Sequence, residues 1–598
     1  ESGLEVATLS LGEGLLFDQA VVVARRRPTA GDWLVMGAGS GLAGALAKER
    51  DGVLLAAEAS AAEVRRTVAS RAWQGVVYVA EPAQTDVPAA AQACCTGALH
   101  LVQALAETGS TARLWLVTQG AVGIDGTEAV PAVAQASLWG VGAVARLEHP
   151  EWRCVRVDVD GLSALVAELG RRDGEEQVAW RGGQRHVARL RRRAWPGAAP
   201  SPSIRSDRSY VVTGGLGGLG LSVSGWLVEQ GARHLLLLGR RGPSAAAQAV
   251  LAGLRAQGAR IETRAVDVSD RQALADALLL CGRDLPGLVG VVHAAGELDD
   301  GALEQLDAAR FARVLAAKVA GAWHLHELTR GMELEQFVLF SSAASLVGNP
   351  GQANHAAANA FLDGLAQHRR AQGLAGLSIN WGAWGEVGAA AGHPGLKRGT
   401  DWTRFIDPDL GIAALAQLMA DDAVATAVLP IDWTKFHVDH PASRQAPFYE
   451  AFVRGHADMP STPPTSRRVV SGGSDDSDSL LRAALAEVLE VAPETLEPDQ
   501  PLHDLGFDSL MAIALRNRIR FAFGVELGLR TILQGASLAK LLEEIERQRN
   551  VTPLIAAEPI EPGTVRRETI ELTSMSDRDR DAMLHELLDE QDVAGASR

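Results

Sequence analysis

The sequence predicts an α/β protein with two tandem doubly wound parallel-sheet subdomains, the first of them degenerate, followed by a small all-α helical bundle. Three observations predict this fold class. Short β-branched or leucine-rich runs alternate with helix-length segments between residues 208 and 453. The same alternation recurs more weakly before residue 200, and apolar residues at three- and four-residue spacings dominate residues 479–548.

Length and charge limit the classes of protein. A chain of 598 residues is too long for one hydrophobic core, so several domains are expected. The formal net charge of −16 argues against a nucleic-acid partner. The sequence contains no run of about twenty consecutive apolar residues, which argues against a membrane partner and predicts a cytoplasmic protein. Because the chain opens on Glu1 rather than methionine, we expect a piece excised from a longer polypeptide.

Changes in composition predict the domain limits. Stretches rich in Pro, Ser and charged residues cannot bury enough apolar surface to fold, and they separate the predicted blocks. Four cysteines lack metal-ligand spacing and are interpreted as reduced core residues, and no metal site is predicted. The predicted blocks are residues 1–207, 208–453, a linker at 454–478, 479–548, and a tail at 549–598.

The second block carries the strongest alternation of strands and helices. Each run is short, apolar and followed by an amphipathic segment, which is the pattern of βαβ units in a Rossmann-like sheet. The first block contains a weaker copy without the residues needed to bind a pyrophosphate. The predicted strands of the second block are residues 210–214, 234–240, 261–268, 288–296, 337–342 and 377–382, and those of the first lie at 33–44, where a strand is followed by a glycine turn, and at 75–82, 114–120 and 155–160.

A glycine-rich turn follows the first strand of the second block. Gly215, Gly218 and Gly220 stand between a strand and a helix, where a dinucleotide pyrophosphate requires a tight turn, a close backbone approach and a helix N-terminus. Arg240 and Arg241 end the next strand and suit a 2′-phosphate, so NADPH is favoured over NADH. Packing glycines and a solvated basic turn remain the alternatives.

Asp267, at the end of the third strand, is a candidate for contact with the adenine of the dinucleotide.

Several longer strings resemble the ketoreductases of modular polyketide synthases, a branch of the short-chain dehydrogenase/reductase superfamily. The resemblance covers the first two blocks almost end to end. The matching strings are VVTGGLGGLG, HAAGELDD, AAKVAGAWHLHEL, FSSAASLVGNPGQANHAAANAFLDGLA and LSINWGAWG.

The resemblance implies a catalytic set with one departure. Ser342 matches the hydrogen-bond donor to the substrate carbonyl, Lys318 the cation that lowers the pKa of the acid and holds the ribose, and Asn359 the fourth member. The general acid of the family is a tyrosine, and His355 occupies its place. An imidazole ends roughly 2 Å short of a phenol oxygen, and a misplacement of about 1 Å can cost on the order of 100-fold in rate.

The chemistry of histidine still permits ketone reduction, despite the replacement of the family's tyrosine. An imidazole can donate a proton, a bridging water can restore the missing length, and nearby Lys318 disfavours the imidazolium, so a neutral His355 is the expected donor. The alternative is a reductase-silent scaffold that serves only as acyl carrier and structural module.

Leu298, Asp299 and Asp300 resemble the LDD motif of B-type ketoreductases, which form the D-configured β-hydroxyl. Val347 agrees, because it stands where the opposite type has tryptophan. Without the resemblance, two adjacent acids are ordinarily a solvated turn.

The third block contains LGFDSLMAIALRNRI, which resembles the acyl carrier protein signature and places Ser509 at the start of a helix. Ser509 is therefore the predicted attachment site of 4′-phosphopantetheine. A plain helix N-cap explains the helix start but not the whole string. In the tail, an apolar stripe near residues 576–588 predicts a docking or dimerising helix, with a frayed end as the alternative.

The resemblance also implies partners. These are upstream ketosynthase and acyltransferase domains, a phosphopantetheinyl transferase and a downstream synthase polypeptide, with the full synthase a homodimer.

Overall fold

The chain divides into two units, Gly31–Ile545 and a smaller one made of Glu1–Ala30 and Glu546–Arg598. The computed structural model describes residues 4–10, 20–26, 32–80, 86–124, 128–193, 202–385, 402–421, 423–439, 441–444, 446–453, 474–489, 491–507, 509–525, 527–533 and 536–551. The smaller unit contains an antiparallel strand pair, β1 (Leu4–Ser10) and β2 (Ala20–Arg26), which the sequence analysis missed. The predicted tail helix at 576–588 lies outside the described residues.

The first sheet of the larger unit has seven strands in the order β4-β3-β5-β6-β7-β8-β9. Its strands are parallel except for β9, which pairs antiparallel with β8 through a tight turn. The four predicted strands of this block are confirmed, and three short strands towards the sheet edges were missed. The bounds are β3 Trp33–Met36, β4 Val53–Leu55, β5 Gly75–Val79, β6 Arg113–Thr118, β7 Val155–Asp158, β8 Gln177–Arg181 and β9 Gln184–Val187.

Five α-helices accompany this sheet in the described part of the block. Ser60 caps the second and Asp86 the third, each accepting a hydrogen bond from a backbone N–H of the first turn. The third is long and apolar enough to span a membrane, but its apolar side chains belong to the core that also contains the sheet. The bounds are α1 Leu42–Glu49, α2 Ala61–Ala69, α3 Val87–Thr108, α4 Ser137–Glu148 and α5 Leu162–Leu169.

The second sheet also has seven strands, in the order β12-β11-β10-β13-β14-β15-β16, and all of them are parallel. The order reverses between β10 and β13, and such a switch point opens a crevice at the carboxyl ends of the strands. The six predicted strands are confirmed and β16 is added. The bounds are β10 Ser209–Thr213, β11 His234–Gly239, β12 Arg260–Ala265, β13 Leu288–His293, β14 Gln336–Ser342, β15 Leu377–Trp381 and β16 Ala425–Val428.

Helices cover both faces of the second sheet, as the doubly wound prediction requires. They include a one-turn π-helix at Ala316–Ala320, between α9 and α10. The bounds are α6 Gly218–Glu229, α7 Ala245–Ala256, α8 Arg271–Leu278, α9 Ala308–Leu315, α10 Gly321–Thr329, α11 Ala343–Val347, α12 Ala353–Ala371 and α13 Pro408–Ala420. Two further helices, α14 Trp433–Asp439 and α15 Glu450–Val453, belong to a separate apolar cluster.

The two sheet-based blocks meet where α4 packs against α12. A Cβ atom at Gly140 on α4 would lie 2.2 Å from the backbone carbonyl of Ala356 on α12, so only glycine permits this separation of the two helices. The first block therefore packs directly on the helix that carries His355 and Asn359.

The last block is the predicted helical bundle. Within its described residues, four helices surround a core formed by apolar residues such as Leu485, Leu515 and Ile545. Their bounds are α16 Ser474–Leu489, α17 Ser509–Phe523, α18 Leu529–Leu533 and α19 Leu538–Val551.

Candidate active site

The glycine turn after β10 is closely packed. Gly214 adopts a φ of +65°, and a Cβ at this position would lie 2.8 Å from the carbonyl oxygen of Ala294. A Cβ at Gly220 would lie 2.3 Å from the carbonyl oxygen of Gly214, and one at Gly215 would lie 2.6 Å from that of Val212. Helix α6 begins at Gly218 with its N-terminus at the turn. These residues therefore fit the pyrophosphate of a dinucleotide, which requires an unobstructed backbone.

Two arginines follow β11 at the same edge of the sheet. Both are exposed, and Arg240 forms an ion pair of 2.5 Å with Glu297. Asp267 lies beyond β12, and its Oδ1 accepts hydrogen bonds from the backbone N–H and the hydroxyl of Ser269. These hydrogen bonds lower the pKa of Asp267. The edge thus offers cations for a phosphate beside an ionised carboxylate.

Lys318 lies at the centre of the π-helical turn and is buried. Its Nζ donates a 2.7 Å hydrogen bond to the carbonyl oxygen of Phe340 on β14. Burial lowers the pKa of Lys318 to about 8, and the nearby carboxyl group of Asp363 opposes the shift. A π-turn adds one residue to the helical repeat and is frequent at functional sites. The sequence analysis did not predict this turn.

Ser342 ends β14 and begins the next helix. Its Oγ accepts a 3.2 Å hydrogen bond from the backbone N–H of Ala344, so it is the N-cap of α11. The hydroxyl hydrogen stays available for a second partner because the cap uses only the oxygen lone pair.

His355 lies in the first turn of α12, and its ring is partly buried. The Nδ1 atom is buried and has no hydrogen-bond partner within the described part of the chain. Burial, followed by the charge of Lys318, lowers the pKa of His355 to about 3. The imidazole is therefore neutral at physiological pH, which agrees with the expected form.

Asn359 and Asp363 follow His355 at intervals of four residues on the same face of α12. The side-chain amide of Asn359 donates to the carbonyl oxygen of His355, and the backbone carbonyl oxygen of Asn359 accepts from Ser341 Oγ.

The carboxylate of Asp363 accepts hydrogen bonds from Ser345, Ser378 and Asn380. Sequence reasoning missed Asp363, although its i+8 spacing from His355 is a readable signal.

These contacts bring the four predicted catalytic residues together at the carboxyl end of β14. Lys318 bonds to the strand itself, Asn359 bonds to the residue before Ser342, and Lys318 acts electrostatically on His355. The arrangement provides a hydroxyl donor, a neutral imidazole and a buried cation around one strand end.

The loop with Leu298, Asp299 and Asp300 is fastened on two sides. Asp299 forms ion pairs with Arg310 at 2.8 Å and Arg313 at 2.5 Å. Asp300 accepts a 2.9 Å hydrogen bond from Gln352, and the carbonyl oxygen of Asp299 accepts one of 2.8 Å from Asn354. The two acids thus fix the loop against the start of the helix that carries His355, and a solvated turn does not describe them.

Glu148, at the end of α4, was also missed by sequence reasoning. Its carboxylate is fully buried and accepts hydrogen bonds from the backbone N–H groups of Gly351 at 2.6 Å and Leu303 at 2.8 Å. It connects the first block to the two loops beside the site. No local sequence signal marks this role, because it depends on residues more than 150 positions away.

Ser509 is the first residue of α17, as the sequence predicted. The fold and the site together define a class of protein. Its members join a Rossmann domain of the oxidoreductase type, with a serine, lysine and asparagine cluster, to a helical carrier bundle.

Three family models match separate parts of the chain. Residues 208–386 match the family described as "KR domain", and residues 22–190 match "Polyketide synthase extender module SpnB, Rossmann fold domain". Residues 479–545 match "Phosphopantetheine attachment site". The chain belongs to the modular polyketide synthases and contains a ketoreductase domain and a carrier domain.

The curated relatives are multidomain synthases. A phenolphthiocerol/phthiocerol polyketide synthase polypeptide of Mycobacterium tuberculosis (strain CDC 1551 / Oshkosh) is 38% identical over 496 residues, which are 77% of this chain and 26% of that protein. The pikromycin synthase component PikAIII of Streptomyces venezuelae is 33% identical over 509 residues, covering 80% of this chain and 32% of its own length. The chain therefore spans about a quarter to a third of these relatives.

Solved structures of ketoreductases have the same fold. An A1-type ketoreductase is 32% identical with a TM-score of 0.62, and the match covers 75% of this chain and 97% of that one. A C2-type ketoreductase from a modular polyketide synthase is 30% identical with a TM-score of 0.62, covering 75% and 99%. Ketoreductases of different types thus match equally well, so the fold alone does not assign a stereochemical type. The comparisons support carbonyl reduction and acyl-carrier function.

Proposed function

We propose that this chain reduces a β-ketoacyl thioester, carried on the phosphopantetheine arm of Ser509, to the D-configured β-hydroxyacyl thioester with NADPH. The observation that carries the proposal is a neutral imidazole at His355 beside the complete set of Ser342, Lys318 and Asn359. A reductase domain that had lost its activity would have no need to keep these residues together at the end of one strand.

NADPH is proposed to be held by the glycine turn and by the arginines after β11. The backbone around Gly215, Gly218 and Gly220 accepts the pyrophosphate, and Arg240 and Arg241 pair with the 2′-phosphate. Asp267 is the proposed contact of the adenine. When bound, the cofactor supplies the hydride that attacks the ketone carbon.

The remaining chemistry belongs to side chains of this chain. Ser342 donates a hydrogen bond that orients the ketone oxygen, and the Lys318 ammonium stabilises negative charge as it develops there. The proton that reaches the alkoxide leaves an N–H group of the neutral His355 ring, directly or through a water molecule. Because the imidazolium pKa is about 3, the ring does not begin the reaction charged, and it is a weak acid that also polarises the carbonyl.

The fastened loop of Leu298, Asp299 and Asp300 supports the D-configured product. Its ion pairs and hydrogen bonds hold the loop in place beside α12. A loop held in this position lets the pantetheine arm enter the active site from one side only. The test is chiral analysis of the hydroxyacyl product released from wild type. The opposite enantiomer as the main product would contradict the assignment.

The wider assignments are proposals of the same kind. The domain limits are those predicted above, with the linker at 454–478, although helix α16 begins at Ser474, within the last residues of that linker. The chain acts in the cytoplasm with ketosynthase and acyltransferase domains, is modified by a phosphopantetheinyl transferase, passes its product to a downstream synthase polypeptide and forms a homodimer within the full synthase.

The experiment uses the full chain with its arm loaded by a β-ketoacyl group. Incubation with NADPH is expected to raise the mass of the Ser509 peptide by two hydrogen atoms, and Lys318→Ala is the matched inactive control. An unchanged mass in wild type with every β-ketoacyl group tested would contradict the proposal. If His355→Tyr then gains activity while wild type equals Lys318→Ala, the chain is a reductase-silent carrier scaffold.

A further inference from the structure

Arg516 belongs to the carrier helix that begins at Ser509, yet its guanidinium bonds to the ketoreductase. It donates a 3.1 Å hydrogen bond to the carbonyl oxygen of Leu147 and a second hydrogen bond to that of Glu148. These carbonyl groups end helix α4, where intrahelical partners are missing and the helix carries partial negative charge. The side chain of Arg516 is only 4% exposed. A cation is thus buried against a helix C-terminus that favours it.

An apolar contact accompanies this polar one. Ala302, in the ketoreductase loop after Asp300, is fully buried and belongs to the same apolar cluster as carrier residues such as Leu515. Phe507, which precedes the predicted modification site, packs against this cluster. Burial of apolar surface beside a charge-assisted hydrogen bond is the usual composition of a specific interface.

The surface touched by the carrier is connected to the proposed active site. Glu148, whose backbone accepts from Arg516, uses its carboxylate to hold Leu303 and Gly351. The backbone N–H of Gly301 in turn donates to the carbonyl oxygen of Gly351 at 2.7 Å. The carrier therefore contacts Glu148, which links the loop after Asp300 to the loop before His355.

Charge complementarity agrees with this placement. Burial raises the pKa of Glu148, and the positive charge of Arg516 is among the groups that oppose the shift. Arg516 also interacts electrostatically with the carboxyl group of Glu151. The carboxyl groups of Glu148 and Glu151 thus favour a basic side chain at this position.

We infer that the C-terminal end of α4 at Leu147 and Glu148, together with Ala302, is the docking surface for this chain's own carrier, and that Arg516 is the residue that recognises it. The biological role of this docking rests on the proposed function, because docking there delivers the phosphopantetheine arm beside the Asp299 loop. The docking itself has a readout that does not depend on reduction.

The first test measures hydrogen exchange in the full chain. Arg516→Gln is expected to raise amide exchange in peptides covering residues 145–152 and 299–305 compared with wild type. Arg518→Gln is the matched control, because Arg518 lies on the same helix and pairs with Glu487 inside the carrier. Transfer of phosphopantetheine from coenzyme A to Ser509 verifies that each variant carrier is folded. Equal exchange in the Arg516 variant and wild type would overturn the docking surface.

The second test separates docking from chemistry. Arg516→Gln is expected to slow single-turnover reduction of the arm-bound β-ketoacyl group roughly 10-fold, the size expected for losing charge-assisted hydrogen bonds. Reduction of the same group as a free N-acetylcysteamine thioester is expected to stay unchanged. Equal slowing of both substrates would contradict the inference. If wild type reduces neither substrate, the proposed function fails, while the exchange result still decides the docking.

Discussion

The side-chain amide of Asn359 donates a 2.7 Å hydrogen bond to the backbone carbonyl oxygen of His355, one turn earlier on the same helix. This carbonyl lies in the first turn of α12, and the bond fixes the rotamer of Asn359. The other polar side-chain atom of Asn359, Oδ1, is buried without a hydrogen-bond partner among the residues described. One helical turn therefore holds two buried polar atoms, Asn359 Oδ1 and His355 Nδ1, that have no hydrogen-bond partner among the residues described.

Replacing the imidazole tests whether it is the proton donor. We expect His355→Phe to lower the single-turnover reduction rate on the order of 100-fold, because no donor then reaches the alkoxide. His355→Tyr is expected to equal or exceed wild type, since a phenol restores the longer reach. The rates are measured by NADPH absorbance with arm-bound substrate. Wild-type activity in the phenylalanine variant would show that the proton comes from elsewhere.

The rate of reduction should depend on the charge of Lys318. Because the pKa of Lys318 is about 8, its ammonium is present below that pH, and the rate should fall as the pH rises through about 8. His355, with a pKa of about 3, should add no inflection between about pH 5 and 7. The check is a pH profile of the single-turnover rate. In Lys318→Arg, which stays charged, a slower rate without the alkaline fall is expected, and an unchanged inflection would contradict this assignment.

Two glycines of α6 form a matched pair for testing the glycine turn. Gly220→Ala should weaken NADPH binding at least about 10-fold, because its Cβ would lie 2.3 Å from the carbonyl oxygen of Gly214 and displace the turn. Gly225→Ala meets no atom within 4 Å, so binding should persist and stability should rise by about 0.5–1 kcal/mol. Fluorescence titration and thermal unfolding measure the two effects. Equal NADPH affinity in both variants would contradict a tight pyrophosphate cradle.

The arginines after β11 should set the preference for NADPH. Replacing Arg240 and Arg241 together by alanine is expected to weaken NADPH binding roughly 10-fold while leaving NADH binding nearly unchanged. Glu297→Gln is the opposing control, because it releases Arg240 from its ion pair and should strengthen NADPH binding. Titrations with both dinucleotides give the comparison. A parallel loss of affinity for both would mean that the arginines do not contact the 2′-phosphate.

Much of the local structure could be predicted. Buried parallel strands read as continuous apolar runs, so β10, β11, β13 and β14 were visible directly. Short or edge strands carry weaker signals, and β4, β9 and β16 were missed for that reason. The antiparallel direction of β9 follows from a tight turn with two glycines at positive φ, Gly182 and Gly183, which the alternation of strands and helices does not encode.

The sequence by itself determined the order of the sheet-based blocks and the helical bundle, the glycine turn, the residue types of the proposed catalytic cluster and the position of Ser509 at a helix start. These depend on periodicity and on motifs whose members lie close together along the chain. Only the tertiary structure decided the π-turn at Lys318, the burial that lowers the pKa of His355 to about 3, and the fastening of two loops by Glu148. Each of these depends on burial or on partners distant in sequence, and a local pattern contains neither.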